Sequence, residues 1–502
     1  MNNFPDLPFR VREGSIGSSN IIYSIVGIGI SVFLWWLFKY YYPYPNLTFD
    51  SYHYLMNMYL DTNAAGWPVG YSKFIRLLGS GSHSANFLVG IQYFTIQISF
   101  LFFFITFRLF FSPGKWVSLL VFIFLFVSPI SLFNSNHILS DPLYLGISTI
   151  WITQILWIIF RFRPFMIITQ AILLFILFYL RYNALYFPII TVFAFVISNT
   201  KISWKIAGIV LSVILIEGLI QYTSNEMKKI TGVRQYAYSN GWKQASNGLY
   251  IYEHYYNKEK APPKGKFTEL DSMVRDYFDH PHQNVSLFYP DQEITLGSFY
   301  MAVGGTPLYD YMQKKSGYTD WSLDFHRTAP YGPLYRAYGN YLILHHPIGY
   351  LKYVVLPHSL SYLTPYPEIF TENLPAFSLW TDSTYGKVAR DWYKLTTLKV
   401  PDRYILLREY IMRPYPSIYT IVHLLFVLTL LLFIYFKGFR LLGGIHTYGL
   451  LSLILLCAGN FVFTILSTTS VLRYQPTVIA IEFTLVCYFI ELILLFEKNR
   501  PN

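Results

Sequence analysis

The chain has 502 residues, of which 54% are hydrophobic, 20% aromatic and only 13% charged. A soluble protein carries roughly a quarter charged residues, so an ordinary soluble domain is excluded. The net charge of +11 sits largely in short loops between apolar stretches, as the positive-inside bias of membrane loops requires, and it gives no reason to infer a nucleic-acid partner.

Runs such as Ile21 to Phe38 and Leu424 to Phe436 are almost wholly apolar. A bilayer core of ~30 Å takes about 20 such residues per helix. The expected fold is an all-α polytopic membrane protein with about ten transmembrane helices and one large outer domain of mixed, mostly helical character. The expected spans run roughly over 21–41, 85–107, 116–133, 142–160, 165–180, 186–198, 206–222, 416–436, 442–467 and 474–496. The first is long enough to span and is followed by no small-x-small cleavage site, so it reads as an anchor and not as a cleaved signal. Cys457 and Cys487 both fall inside expected spans and read as small core residues with no disulfide framework.

Arg10, Arg12, Arg108, Lys115, Arg161, Arg163, Lys201, Lys205, Lys437, Arg440, Lys498 and Arg500 all fall on one side if the N-terminus is cytoplasmic. The outer side then holds a first loop (42–84), the turn Asn134 to Asp141, the Arg181-Tyr182 turn and a long polar segment, 223–415. The chain divides into an N-terminal membrane module (1–222), an extracytoplasmic domain (223–415) and C-terminal membrane helices (416–502). In the outer segment Gly241 to Tyr256 and Thr268 to Phe278 read as amphipathic helices. Gly332 to Leu363, rich in aromatics and broken by Pro347 and Pro357, reads as a stretch lying along the membrane surface. Asn46-Leu-Thr48 and Asn284-Val-Ser286 would be exposed sequons in a eukaryotic secretory pathway, which leans the location to a bacterial cytoplasmic membrane.

Four outer features are candidates for a site. Asp50 and His53 are three apart and share a face if helical. Asp141, in Leu139-Ser-Asp-Pro142, is placed to stabilise a helix N-terminus, to serve a site, or both. Arg181, in Arg181-Tyr-Asn-Ala-Leu-Tyr186, fits an interface anchor or a site residue equally well. Arg473, in Leu472-Arg-Tyr-Gln-Pro476, breaks an apolar stretch on the side where arginine is disfavoured, and burial against an anionic ligand explains the exception.

Taken together, Asp50 with Tyr54, the Gly66-Trp-Pro-Val-Gly-Tyr71 stretch, Ser140-Asp-Pro142, Arg181-Tyr182 and Arg473-Tyr474-x-Pro476 resemble the GT-C superfamily of polyprenyl-phosphate-sugar-dependent glycosyltransferases, on the branch of protein O-mannosyltransferases and aminoarabinose transferases. The likeness covers the membrane part, residues 20–222 and 416–490. Ser51 stands where many members carry a second adjacent acid, and no Asp-x-Asp motif occurs. The resemblance implies a polyprenyl-phosphate-linked sugar as donor and a lipid, glycan or protein as acceptor. It gives Asp50 as catalytic base. Arg473, then Arg181, would bind the donor phosphate, and Asp141 would orient a cation, the sugar or an arginine. His53, Tyr54, Tyr182 and Tyr474 would be substrate contacts. A divalent cation, Mg2+ or Mn2+, shared by Asp50 and Asp141 stays open, and no metal ligand set is assigned.

Two other readings compete. An O-antigen ligase or polymerase would draw on His280, His282, Arg327, Arg336, His345 and His346 in the outer segment. A lipid-linked-sugar transporter or flippase would need ionisable residues along a path, and only Glu217 and Glu482 stand out. His280 and His282, with Asp276 and Asp279, match no zinc spacing and read as an exposed loop.

Overall fold

A computed structural model describes residues 17–258, 265–280, 299–302, 304–317, 325–370, 383–395, 401–467 and 470–498. The N-terminal Arg10 and Arg12, His282, the sequon at Asn284 and the terminal Arg500 lie outside them. The described residues form helices, with two isolated β-bridges and no strand. Among the described residues eight helical stretches are long and apolar enough to cross a membrane, Lys115–Ser135 and Asp402–Tyr435 each joining two consecutive helices, so the protein is an integral membrane protein. In chain order the membrane part comprises α1 (Ser18–Tyr41), α2 (Phe49–Tyr59), α3 (Gly70–Gly79), α4 (Ala85–Phe111), α5 (Lys115–Val127), α6 (Pro129–Ser135), α7 (Ser140–Arg161), α8 (Met166–Leu180), α9 (Phe187–Ile197) and α10 (Ile202–Thr231). The polar segment holds α11 (Ser239–Tyr252), α12 (Thr268–Asp279), α13 (Pro307–Ser316), α14 (Gly332–His345), α15 (Leu356–Leu363), α16 (Thr384–Tyr393) and α17 (Asp402–Met412). The chain then returns through α18 (Tyr415–Tyr435), α19 (Gly444–Ser467) and α20 (Pro476–Lys498).

The ten expected spans differ from these eight at α8 and α9. With 15 residues, α8 rises about 22 Å, short of a ~30 Å core, and the 11-residue α9 is shorter still. Each packs one face on α7 and α10 and leaves apolar side chains exposed on the other, Ile168 and Ile172 on α8 and Ile189 and Val196 on α9. Gln154 of α7 donates to the Met166 carbonyl at the start of α8, and Arg181 at the end of α8 reaches Asp141 at the start of α7. Phe187 then stacks on Trp151, 4.2 Å between ring centroids, as α9 turns back. Close approach of α4 and α7 depends on Gly146, where a Cβ would lie 2.8 Å from the Thr95 methyl.

The outer segment has its own core. In it α11 and α14 cross with backbones nearly touching: a Cβ on Gly241 would sit 1.9 Å from the Gly332 carbonyl, and one on Gly339 2.2 Å from the Gln244 carbonyl. Trp242, Leu249, Tyr335, Tyr338 and Leu342 fill the space around the crossing. Beyond α14 the helix is broken at Pro347 and by a π-turn over Leu351–Val355. Leu344, Ile348, Leu351, Leu356 and Leu360 stay exposed along this stretch. Its end is docked on a membrane helix, since His358 Nδ1 meets the Ile465 carbonyl at 3.1 Å and the Tyr362 hydroxyl donates to Asn460 Oδ1 at 2.9 Å. Val462 and Leu466 of α19, the helix it docks on, are exposed as well.

Gly339→Ala is expected to force α11 and α14 apart and to cost about 1–3 kcal/mol, as overpacking does. The measurement is the thermal unfolding midpoint of the purified protein, which should fall.

Candidate functional site

The site begins with a short tie between two turns. After α1, the Asn46 amide donates to the Asn136 carbonyl at 2.9 Å, and the Ile138 amide donates back to the Asn46 carbonyl at 3.0 Å. Asn136 adds a side-chain bond to the Tyr44 carbonyl at 2.7 Å and accepts from Lys39 Nζ at 2.7 Å. Gln92 of α4 donates to the carbonyls of Ser135 and His137, and accepts from the Tyr71 hydroxyl. Asn46, Asn136 and Gln92 are buried, and these bonds meet much of their hydrogen-bonding capacity. Asn46 is only 2% exposed, so the Asn46-Leu-Thr48 triplet is no surface sequon, contrary to the sequence expectation.

This tie sets the N-termini of α2 and α7 side by side. Each carries one carboxylate in its first turn, Asp50 and Asp141, where the helix dipole favours negative charge. Ser51, next to Asp50, has a local task. Its Oγ accepts from the Thr48 amide at 2.8 Å and so caps α2.

Arg473 lies in a one-turn 3-10 helix, Leu472–Tyr474, and faces both carboxylates. Its Nη2 is 3.0 Å from Asp50 Oδ2, and its Nη1 is 3.5 Å from Asp141 Oδ2. A third acid completes the ring: Glu368, whose Oε2 is 2.8 Å from Nε and whose Oε1 is 3.3 Å from Nη2. The backbone supports this approach, because the Leu472 amide donates to the Tyr366 carbonyl at 2.9 Å. Glu368 itself is held at φ 45°, a left-handed conformation uncommon outside glycine. Arg181 pairs with Asp141 at the floor of the cluster. The Tyr474 ring lies against both guanidiniums, 4.4 Å from Arg181 and 5.0 Å from Arg473.

Exposure grades the cluster. The side chains of Asp141 and Arg473 are 4% and 7% exposed, while those of Asp50 and Glu368 are 20% and 24% exposed and form its mouth. Burial opposes the charge on Arg473, but Glu368, Tyr474, Asp141 and Asp50 outweigh it and hold its pKa well above the ordinary value. Arg181 is raised for the same reason, chiefly by Asp141. Burial pushes the Glu368 carboxyl up, with Arg473 pulling against it. Nε and Nη1 of Arg473 are buried and lie beside carboxylates without an aligned hydrogen bond, so they offer directional donors to an oxyanion.

Of the sequence candidates, Asp50, Asp141, Arg181, Arg473 and Tyr474 come together. Tyr54 lies beneath them, its hydroxyl 2.9 Å from Ser140 Oγ. His53 does not join: it stacks on Trp67, 4.4 Å between centroids, with Phe49 and Tyr385 edge-on. Tyr182 turns away to pack on Phe178 and Tyr236. Asp50 and Asp141, for which a shared divalent cation stayed open, both contact the Arg473 guanidinium, and among the described residues no group of three or more His, Cys, Asp or Glu is gathered to hold a metal ion. Arg473 lies between the two carboxylates.

Two residues went unnoticed in the sequence. Glu368 had only one signal, an acid directly after Pro365-Tyr-Pro367. Lys243 of α11 lies within electrostatic reach of Arg181, and burial first, then that charge, lowers its pKa to about 8. The residues a ligase or polymerase would use are dispersed: His346 stacks on Tyr255, His345 packs on Tyr341, and His280 bonds within its own helix end. Of the two acids a transport path would use, Glu217 accepts from Gln221 and Glu482 is paired with His423.

Burial lowers the pKa of His53 to about 4 and that of His137 to about 3, from 6.5. A depressed pKa stabilises the fold above pH 6.5 and loses that contribution as pH falls toward the folded value. For His53, a fall from 6.5 to about 4 corresponds to about 3 kcal/mol at most. The thermal midpoint should therefore fall between pH 6.5 and 4, and His53→Phe should flatten part of that slope.

Neither family models, nor curated proteins, nor solved structures give a match to this chain, so the reading of the site rests on its residues and their geometry.

Proposed function

We propose that the protein is a GT-C-type membrane glycosyltransferase that moves a sugar from a polyprenyl-phosphate donor to an acceptor hydroxyl. The reaction takes place at the outer face of a bacterial cytoplasmic membrane. The observation that carries this reading is the contact of a partly exposed carboxylate with a buried guanidinium at one membrane face, Asp50 against Arg473 at 3.0 Å. A donor whose lipid tail stays in the bilayer presents its phosphate at that depth.

In this reading the donor phosphate takes the place of Glu368 on Arg473, a bidentate exchange of one oxyanion for another. Arg181 and Lys243 add positive charge behind it. The acceptor oxygen attacks the anomeric carbon as the carbon–phosphate oxygen bond breaks. Asp50 takes the acceptor proton, and the polyprenyl phosphate leaves with the bonding electrons, its added charge stabilised by the guanidiniums. One displacement with one base inverts the anomeric centre. Asp141 holds the two arginines in register.

Transfer from a panel of synthetic polyprenyl-phosphate monosaccharides to envelope lipids and glycans, followed by mass spectrometry, tests the reading. Asp50→Asn is expected to lower the rate by about 10²–10⁴-fold, the usual contribution of a general base. A wild-type rate in that variant sinks the assignment. Glu368→Gln removes the competing carboxylate from Arg473 and should tighten binding of polyprenyl phosphate by about tenfold, read by titration in detergent.

A further inference from the structure

Two ionisable side chains inside the membrane bundle take no part in the cluster. His423 on α18 and Glu482 on α20 are 2% and 3% exposed. The His423 Nδ1 lies 2.7 Å from Glu482 Oε2. Isolated charges at such a depth are costly, and residues of this kind are paired and commonly tied to function.

The other edge of the imidazole points toward the site. His423 Nε2 is 3.3 Å from Gln475 Oε1. The Gln475 amide nitrogen donates to the Tyr362 carbonyl at 2.9 Å and to Ser470 Oγ at 3.2 Å. That commitment makes Oε1 the acceptor toward His423, so Nε2 carries a proton. A bare Nδ1 lone pair facing a carboxylate at this distance would be repelled, so a second proton is shared between Nδ1 and Glu482. The pair is neutral wherever that proton resides, as a low-dielectric setting favours.

Gln475 closes the turn that contains Arg473. Tyr362 lies in the last turn of α15, whose continuation carries Glu368. The Tyr362 ring also packs on His423, 5.0 Å between centroids. One neutral pair thus grips, through one amide side chain, both segments that bring Arg473 and Glu368 to the cluster.

We propose that His423 and Glu482 are positioning residues: acting through Gln475, they hold the 470–475 turn and the end of α15 so that Arg473 and Glu368 face Asp50 and Asp141. The consequence for ligand affinity rests on reading Arg473 as the phosphate-binding group, whereas the consequence for local order does not.

The test uses the full-length protein in detergent as wild type, His423→Leu, Glu482→Ala and Glu482→Gln. Hydrogen–deuterium exchange reads local order. In His423→Leu and Glu482→Ala, amides over 470–475 and 362–370 should exchange at least about tenfold faster, with α4 unchanged. In Glu482→Gln, whose carboxamide donates to Nδ1 while Nε2 keeps its proton, they should exchange as in wild type. Wild-type exchange at 470–475 in both disrupting variants overturns the proposal, as does equal acceleration in Glu482→Gln. The second readout is binding of farnesyl phosphate against farnesol. The disrupting variants should bind farnesyl phosphate about tenfold more weakly, the loss expected from misplacing a charged hydrogen-bond donor. Wild-type affinity in a variant with accelerated exchange overturns the link to the site. If the wild type shows no preference for the phosphate, the phosphate reading of Arg473 fails, and the exchange data alone decide the positioning role. Where His423→Leu does not fold, the contrast between Glu482→Ala and Glu482→Gln decides the positioning role by itself.

Discussion

A guanidinium removed from water must be surrounded by negative charge, and Arg473 imposes that requirement on the molecule. It is only 7% exposed, and a buried charge is tolerated only when paired and hydrogen-bonded. Its three acids come from the segment between α1 and α4, from the start of α7 and from the stretch after α15. Satisfying one side chain therefore draws three distant parts of the chain to one point. Arg181 extends the same logic by neutralising Asp141 from the opposite side. Two cations against three carboxylates leave the cluster one negative charge in excess, with the surplus at the exposed mouth.

The scaffolding that makes this possible is mostly uncharged. The tie of Asn46 to Asn136 and Ile138 aligns two helix N-termini, and the macrodipoles of both favour the acids placed there. Ser51 is spent on capping α2. On the far side, the loop bearing Glu368 is joined by a backbone bond to the turn bearing Arg473. Polar groups that would be a liability inside an apolar bundle are here committed to one another, so they specify register.

Much of the membrane architecture was legible in the sequence, because uncharged runs of sufficient length have few alternatives in a chain this apolar. The short apolar helices α8 and α9 show the limit. Hydropathy reports that a segment is apolar, and it does not tell a full crossing from a helix too short for one. Asp50, Asp141, Arg181 and Arg473 were visible as charges at the ends of apolar runs on one expected side. His53 and Tyr182 looked equivalent to them by position, yet aromatic packing turns both away. Glu368 sits in a segment without a strong periodic signal, and nothing local marks it as the partner of an arginine 105 positions on.

Composition and pattern by themselves determined that this chain lives in a membrane, which stretches are apolar, and which few charges must be explained. Those are sums and periodicities over neighbouring residues, and transfer free energies act on them directly. The tertiary structure alone decided which charges meet. Asp50 and Arg473 are 423 positions apart, and their contact depends on how helices pack and how two turns are tied together. No local propensity encodes that distance; it is set by the close-packed interior and by the need of each buried polar group to find a partner.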